Sequence, residues 1–141
     1  MFARTAALAL FATLPWCAGC TALDKSDECR AVAQLTNPVL SDIDHDRTVV
    51  KGPTYRIIAA KYEALAVTLG QVKIRTKHVA EAVNDYQRVL NEAARDARNF
   101  ADALDGKDEA RLLIARASAA RTVRHEASAL SRLDLACHVG R

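Results

Sequence analysis

The sequence predicts an all-α protein, and three observations carry that reading. From Tyr55 to Leu104 apolar residues return at alternating steps of three and four, a seven-residue repeat held for about fifty positions. Turn chemistry is concentrated at two places, Lys51-Gly52-Pro53 and Asp105-Gly106-Lys107-Asp108. Only three Pro and five Gly occur in the whole chain, and no alternating run of Val, Ile and Thr suggests a strand.

The first element is an export segment. Arg4 is followed by an apolar run from Ala6 to Leu14, and then by small residues at Ala18 and Gly19. A charged start, a short apolar core and a small-residue cut site are the layout of a secretory signal. The run falls short of the roughly 20 residues needed to span a bilayer. Asp24, Lys25, Ser26, Asp27 and Glu28 follow, so nothing extends it into a membrane span.

The end of this segment, Cys17-Ala18-Gly19-Cys20, resembles the lipobox of bacterial lipoproteins. In that family Leu, a small residue and Gly or Ala precede an obligatory Cys; here Cys17 stands where Leu is usual. The resemblance covers about a seventh of the chain and leaves the mature domain without a family. It implies that residues 1–19 are removed and that Cys20 is acylated, becomes the N-terminus and anchors the protein to a membrane. Several acyl chains hold a protein on a bilayer where one does not. Thr21 follows the cysteine in place of the Asp that resembles an inner-membrane retention signal, so the resemblance points to the outer membrane. The alternative is ordinary secretion with cleavage nearby.

Residues 20–141 make a mature chain of 122 residues, one domain in size. Residues 20–27 read as a polar tether and 28–138 as a single helical domain. The net charge of +3, or +2 without Arg4, is too mild to argue for nucleic acid. Of four cysteines, Cys17 leaves with the signal and Cys20 is the lipid site, which leaves Cys29 and Cys137. In an oxidising compartment two such cysteines suggest a disulfide; the alternative is two buried free thiols.

A helix is expected from about Ser26 or Asp27 to Asp46, with Val32, Leu35, Val39 and Ile43 on its apolar side and a kink near Pro38. Pro53 suits the start of the next helix. Its seam runs through Tyr55, Ile58, Tyr62, Leu65, Leu69, Val72, Thr76, Val79, Val83, Tyr86, Leu90, Ala93, Ala97, Phe100 and Leu104. Gly70 is the only breaker and lies off the seam. The favoured reading is one central helix over about residues 54–104, some 75 Å long at 1.5 Å per residue, in an antiparallel coiled coil with shorter flanking helices. A break near Gly70, folding the chain into an up-down four-helix bundle, is the alternative. Gly106 is expected at positive φ, and Asp108 as the cap of a last helix from about Glu109 to Cys137. That helix carries a stripe of Ala110, Leu113, Ala117, Ala120, Val123, Ala127, Leu130 and Cys137.

Facing residues in an antiparallel pair have numbers with a near-constant sum. Phe100 with Leu113, Leu90 with Val123 and Val83 with Leu130 each give 213, and the same register places Cys137 opposite Thr76. Ile43 with Ile58 and Val39 with Tyr62 give 101, which places Cys29 opposite Val72. Val72 and Thr76 are one helical turn apart, so the two registers bring the cysteines to one level, folded over or not. Closing so long a loop stabilises by roughly 4–5 kcal/mol in the chain-entropy model. Ala93, Ala94, Ala97 and Ala101 would face Ala110, Ala117 and Ala120. So thin a pair buries little apolar area and invites a homodimer, or a fold-over that covers its own flanks.

No catalytic pattern stands out. His45, His78, His125 and His138 are scattered without metal-ligand spacing, and no Gly-x-Ser-x-Gly or phosphate-cradling loop occurs. Asp42, Asp44 and Asp46 lack the Gly and distal Glu of a calcium loop and read as an acidic helix end. No metal, cofactor or enzymatic activity is expected. Two basic clusters are candidate anion-binding groups: Lys73, Arg75 and Lys77 beside His78, and Arg116, Arg121 and Arg124 on the last helix, with Arg124 expected to be partly covered. The function expected is that of an exported, outer-membrane-anchored envelope protein with a structural or protein-binding role. The alternative is a secreted helical bundle that binds a small ligand among Tyr55, Tyr62 and Tyr86, or an anionic envelope polymer. Its partners would be a membrane through Cys20, an envelope protein or a second copy, and not nucleic acid.

Overall fold

A computed structural model describes residues 25–138, and four helices make up its regular structure: α1 (Lys25–Asp46), α2 (Gly52–Gln71), α3 (Lys77–Asp105) and α4 (Glu109–His138). The proposed signal 1–19 and Cys20 lie outside the described residues. The helices form an antiparallel bundle in which α3 packs extensively on both α2 and α4, while α1 lies on α2 and meets α4 at few points. No described helix is long and apolar enough to cross a membrane.

The central helix is not continuous. α2 ends at Gln71, Val72 turns extended, and α3 begins at Lys77, so the chain folds back into the four-helix arrangement. Glu28 of α1, fully buried, explains how the break is held. Its carboxylate accepts the backbone N–H of Arg75 (2.6 Å) and of Thr76 (3.3 Å). Thr76 is the N-cap of α3, and its own side chain caps nothing. The task that a glutamate at the third position of the same helix performs in a capping box falls here to a residue 48 positions earlier. Burial raises the pKa of Glu28, but the hydrogen bonds from Arg75 and Thr76 outweigh it and hold the carboxyl below its ordinary value of 4.5.

Gly70 contributes through space rather than flexibility. A Cβ there would lie 2.8 Å from Nε2 of Gln87, which donates to the Ala66 carbonyl at 2.7 Å and ties α3 to α2. The seam residues Ile58, Tyr62, Leu65 and Leu69 on α2 are buried against Val79, Val83, Tyr86 and Leu90 on α3. Folding over thus buries in one chain the apolar face that a rod would need a partner to cover.

Other boundaries shift by small amounts. α1 begins at Lys25, so the last three positions of the expected tether 20–27 are helical, and the helix runs through Pro38 to Asp46. Asp108 caps α4, accepting the Arg111 N–H at 3.0 Å. Gly106 is right-handed helical at φ −75°, and Lys107 takes the left-handed conformation at φ 50° instead. At the same end, Arg56 of α2 bridges Asp102 (2.8 Å) and Asp105 (2.5 Å) of α3.

Cys29 and Cys137 are joined by a disulfide with Cα atoms 5.9 Å apart. It ties α1 to α4, two helices that otherwise meet at few points.

Two outcomes follow for stability. Glu28→Gln removes one charged acceptor and is expected to cost about 1–2 kcal/mol in chemical denaturation at neutral pH. Because the folded pKa of Glu28 is depressed, its contribution is present above 4.5 and fades as pH falls through the lower folded value. The gap between the variant and the parent should therefore shrink in acid. Replacing Cys29 and Cys137 together by Ala should cost about 4 kcal/mol, read the same way, and equal the effect of reduction.

Candidate functional site

Of the expected inward stripe of α4, Leu130 and Cys137 pack on the core, but the rest does not. Ala110, Leu113, Ala117, Ala120, Val123 and Ala127 are exposed, with Leu113 at 66% and Val123 at 50%. Ala115, Thr122, Ala129 and Leu133 are buried instead. The physical reason is Asp96 on α3. Its carboxylate is buried without a cation beside it, and it is satisfied by the Ser118 hydroxyl at 2.9 Å and the Thr122 hydroxyl at 2.6 Å. A buried carboxylate must find donors, so α4 turns its hydroxyl-bearing face to α3 and leaves its alanine stripe outside.

This rotation leaves a cleft of about 300 Å³ in the half of the bundle away from the disulfide. Ala93, Ala97 and Ala119 are too small to fill the space between α2 and α4. Tyr55 and Phe100 form one wall, with ring centroids 4.5 Å apart. Ile58 and Val123 add apolar surface, and Arg116 stands exposed at the edge with no ion pair among the described residues.

A polar cluster lies at the inner side of the cleft. The Arg47 guanidinium donates to the Tyr62 hydroxyl, pairs with Asp44 at 3.1 Å, and lies 5.9 Å from the centre of the Tyr62 ring. Glu126 of α4 interacts with the same Tyr62 hydroxyl. Burial pushes the Glu126 carboxyl above its ordinary value, the charge of Arg47 draws it back in part, and Asp44 opposes that. Burial also raises the phenols of Tyr62 and Tyr86, so both stay neutral at any ordinary pH. The Tyr86 hydroxyl is fully buried and has no hydrogen-bond partner among the described residues. Together these groups can hold a mixed apolar and polar guest: rings for contact, Arg116 for an anionic group, and Glu126 for a donor.

The six basic candidates do not form one site. Lys73, Arg75 and Lys77 are exposed at the α2–α3 turn, at the disulfide end. Arg116 borders the cleft, Arg121 lies on the α3 side of α4 beside Arg111 and Ile114, and Arg124 is exposed rather than covered, because α4 is rotated. Tyr55 and Tyr62 line the cleft, while Tyr86 does not. Asp42 and Asp46 are engaged by Lys61, at 3.6 and 2.7 Å, and Asp44 by Arg47. No group of three His, Cys, Asp or Glu able to hold a metal occurs among the described residues. Glu28, Asp96 and Glu126 escape a reading based on apolar periodicity. The available signal was their place: each is an acid at a helical position where its neighbours turn inward.

Glu126→Gln tests the inner cluster. A raised folded pKa stabilises the protein below 4.5, and that contribution is lost as pH rises through the folded value. The variant should therefore be more stable than the parent at neutral pH, with the advantage disappearing in acid, as read from thermal melts across pH.

No family model, curated protein or solved structure matches the chain.

Proposed function

We propose that the protein is an exported, lipid-anchored envelope protein that binds a partner protein through the cleft and the adjoining outer face of α4. The observation that carries the binding reading is the open cleft between α2 and α4, flanked by apolar residues that the fold leaves uncovered. Val123 and Leu113 lie on one edge of α4, three turns apart, and the exposed alanines Ala117 and Ala120 lie between them. A helix that sets a large apolar side chain into the cleft and lies along these alanines would cover both, the helix-in-groove mode of recognition. Exposed arginines at 116, 121 and 124 favour an acidic helix over a second copy of the chain, whose own arginines would be brought together.

The anchor rests on the lipobox resemblance at Cys17–Cys20. Mass spectrometry of the mature protein is expected to find Cys20 acylated at its N-terminus; an unmodified N-terminus would sink the anchor. For the binding surface, a photo-crosslinking residue at Val123 should capture a defined envelope protein, whereas one at the remote Asn37 should not. Ala119→Phe, which fills the cleft, should lower the Val123 adduct about tenfold, a loss of roughly 1.4 kcal/mol. Equal capture at both positions, or capture indifferent to the filled cleft, would reject it.

A second reading is a small amphipathic ligand in the same cleft, favoured by the paired rings of Tyr55 and Phe100 beside Arg116 and Glu126. Native mass spectrometry of protein isolated from its envelope would then show a stoichiometric added mass that Ala119→Phe removes.

A further inference from the structure

The end of the bundle that carries the disulfide also carries a run of exposed cations. Lys73, Arg75 and Lys77 are exposed within five consecutive positions at the α2–α3 turn, and His78 follows them. Neither Lys73 nor Arg75 forms a side-chain ion pair among the described residues, and Lys77 reaches Glu81 only at 4.0 Å. The acids nearby are already engaged. Glu28 is buried on backbone N–H groups, Asp27 pairs with Arg30, and Asp134 with His138.

The same end is where the chain leaves toward Cys20. The hydrogen bonds from Arg75 and Thr76 to Glu28 fix the basic turn beside the first turn of α1. α1 begins at Lys25, five positions after Cys20, and five residues span at most about 18 Å. An acyl group on Cys20 would therefore hold the start of α1 within about 18 Å of the lipid surface, with the basic turn attached one helical turn further on.

We infer that the turn carrying Lys73, Arg75 and Lys77 is a membrane-facing surface that binds anionic phospholipid headgroups and sets the bundle upright on the bilayer. The placement of this end at the membrane rests on the proposed anchor; the affinity of the turn for anionic lipid does not. Each cation held near an anionic leaflet contributes about a fivefold gain in affinity. The cleft then opens away from the bilayer, since Thr122 lies fifteen residues along α4 from Cys137, about 22 Å.

The test uses the oxidised chain from residue 20 onward, which contains every described helix, with Cys20→Ser to remove acylation. It is sedimented with vesicles of phosphatidylcholine alone, or of phosphatidylcholine mixed with phosphatidylglycerol. Binding should require phosphatidylglycerol and weaken as salt is raised. Lys73→Gln/Arg75→Gln/Lys77→Gln should lower the affinity about a hundredfold. Lys73→Arg/Lys77→Arg should retain it, as should Arg116→Gln/Arg121→Gln/Arg124→Gln. Circular dichroism melts would show that each variant is folded. Equal binding to both vesicles, an unaffected triple Gln variant, or binding to purified cell-wall sacculi in preference to phosphatidylglycerol would overturn the inference. Because the chain tested is unacylated, failure here leaves the acylation of Cys20 to its own measurement, and the reverse holds as well.

Discussion

The buried carboxylate of Glu28 sets the terms for the rest of the molecule. Removing a charge from water is costly unless hydrogen bonds replace its hydration, and Glu28 finds its replacement in the backbone N–H groups of Arg75 and Thr76. These groups are free to donate only where the chain leaves helical geometry. The interaction therefore holds the break between α2 and α3 and docks α1 against it in one contact. Once the chain folds back there, α2 and α3 bury one apolar face between them, and Cys29, one residue after Glu28, lies where it can meet Cys137.

A second buried acid governs the other half. Asp96 draws Ser118 and Thr122 toward α3, and α4 rotates accordingly. The rotation exchanges an alanine seam for a hydroxyl seam. It leaves Leu113, Val123 and the alanines between them on the surface, and it leaves the space beside Ala93, Ala97 and Ala119 open. Cleft and uncovered face are thus two consequences of a single polar contact. Arg47, Tyr62 and Glu126 line the inner side of that space with charge held at partial burial, where electrostatic interactions act more strongly than in water.

The two halves differ in physical character. One is cross-linked and carries the exposed cations Lys73, Arg75 and Lys77; the other is alanine-rich and aromatic-walled. That polarity supports the proposed division of labour between a membrane-side end and a binding end. The disulfide restrains α1 and α4 at one end, and along the rest of its length α4 packs chiefly on α3.

Much of the fold was legible in the residues. The seam from Ile58 to Leu69 and from Val79 to Phe100 is the observed core, because large apolar residues at helical spacing have few places to go other than inside. The pairing of Cys29 with Cys137 was also legible, since short connections force neighbouring helices antiparallel and so bring the start of α1 and the end of α4 to one end of the bundle, although the facing pairs expected between α3 and α4 are not the ones that form. The candidate site was far less legible. The break after Gln71 needed a carboxylate from α1, the face of α4 needed the burial of Asp96, and Gly70 needed contact with Gln87. Local pattern therefore determined which segments are helices and which helices are neighbours. Tertiary structure alone decided where the long helix breaks and which side of α4 faces in, because both answers come from buried acids finding donors distant in sequence.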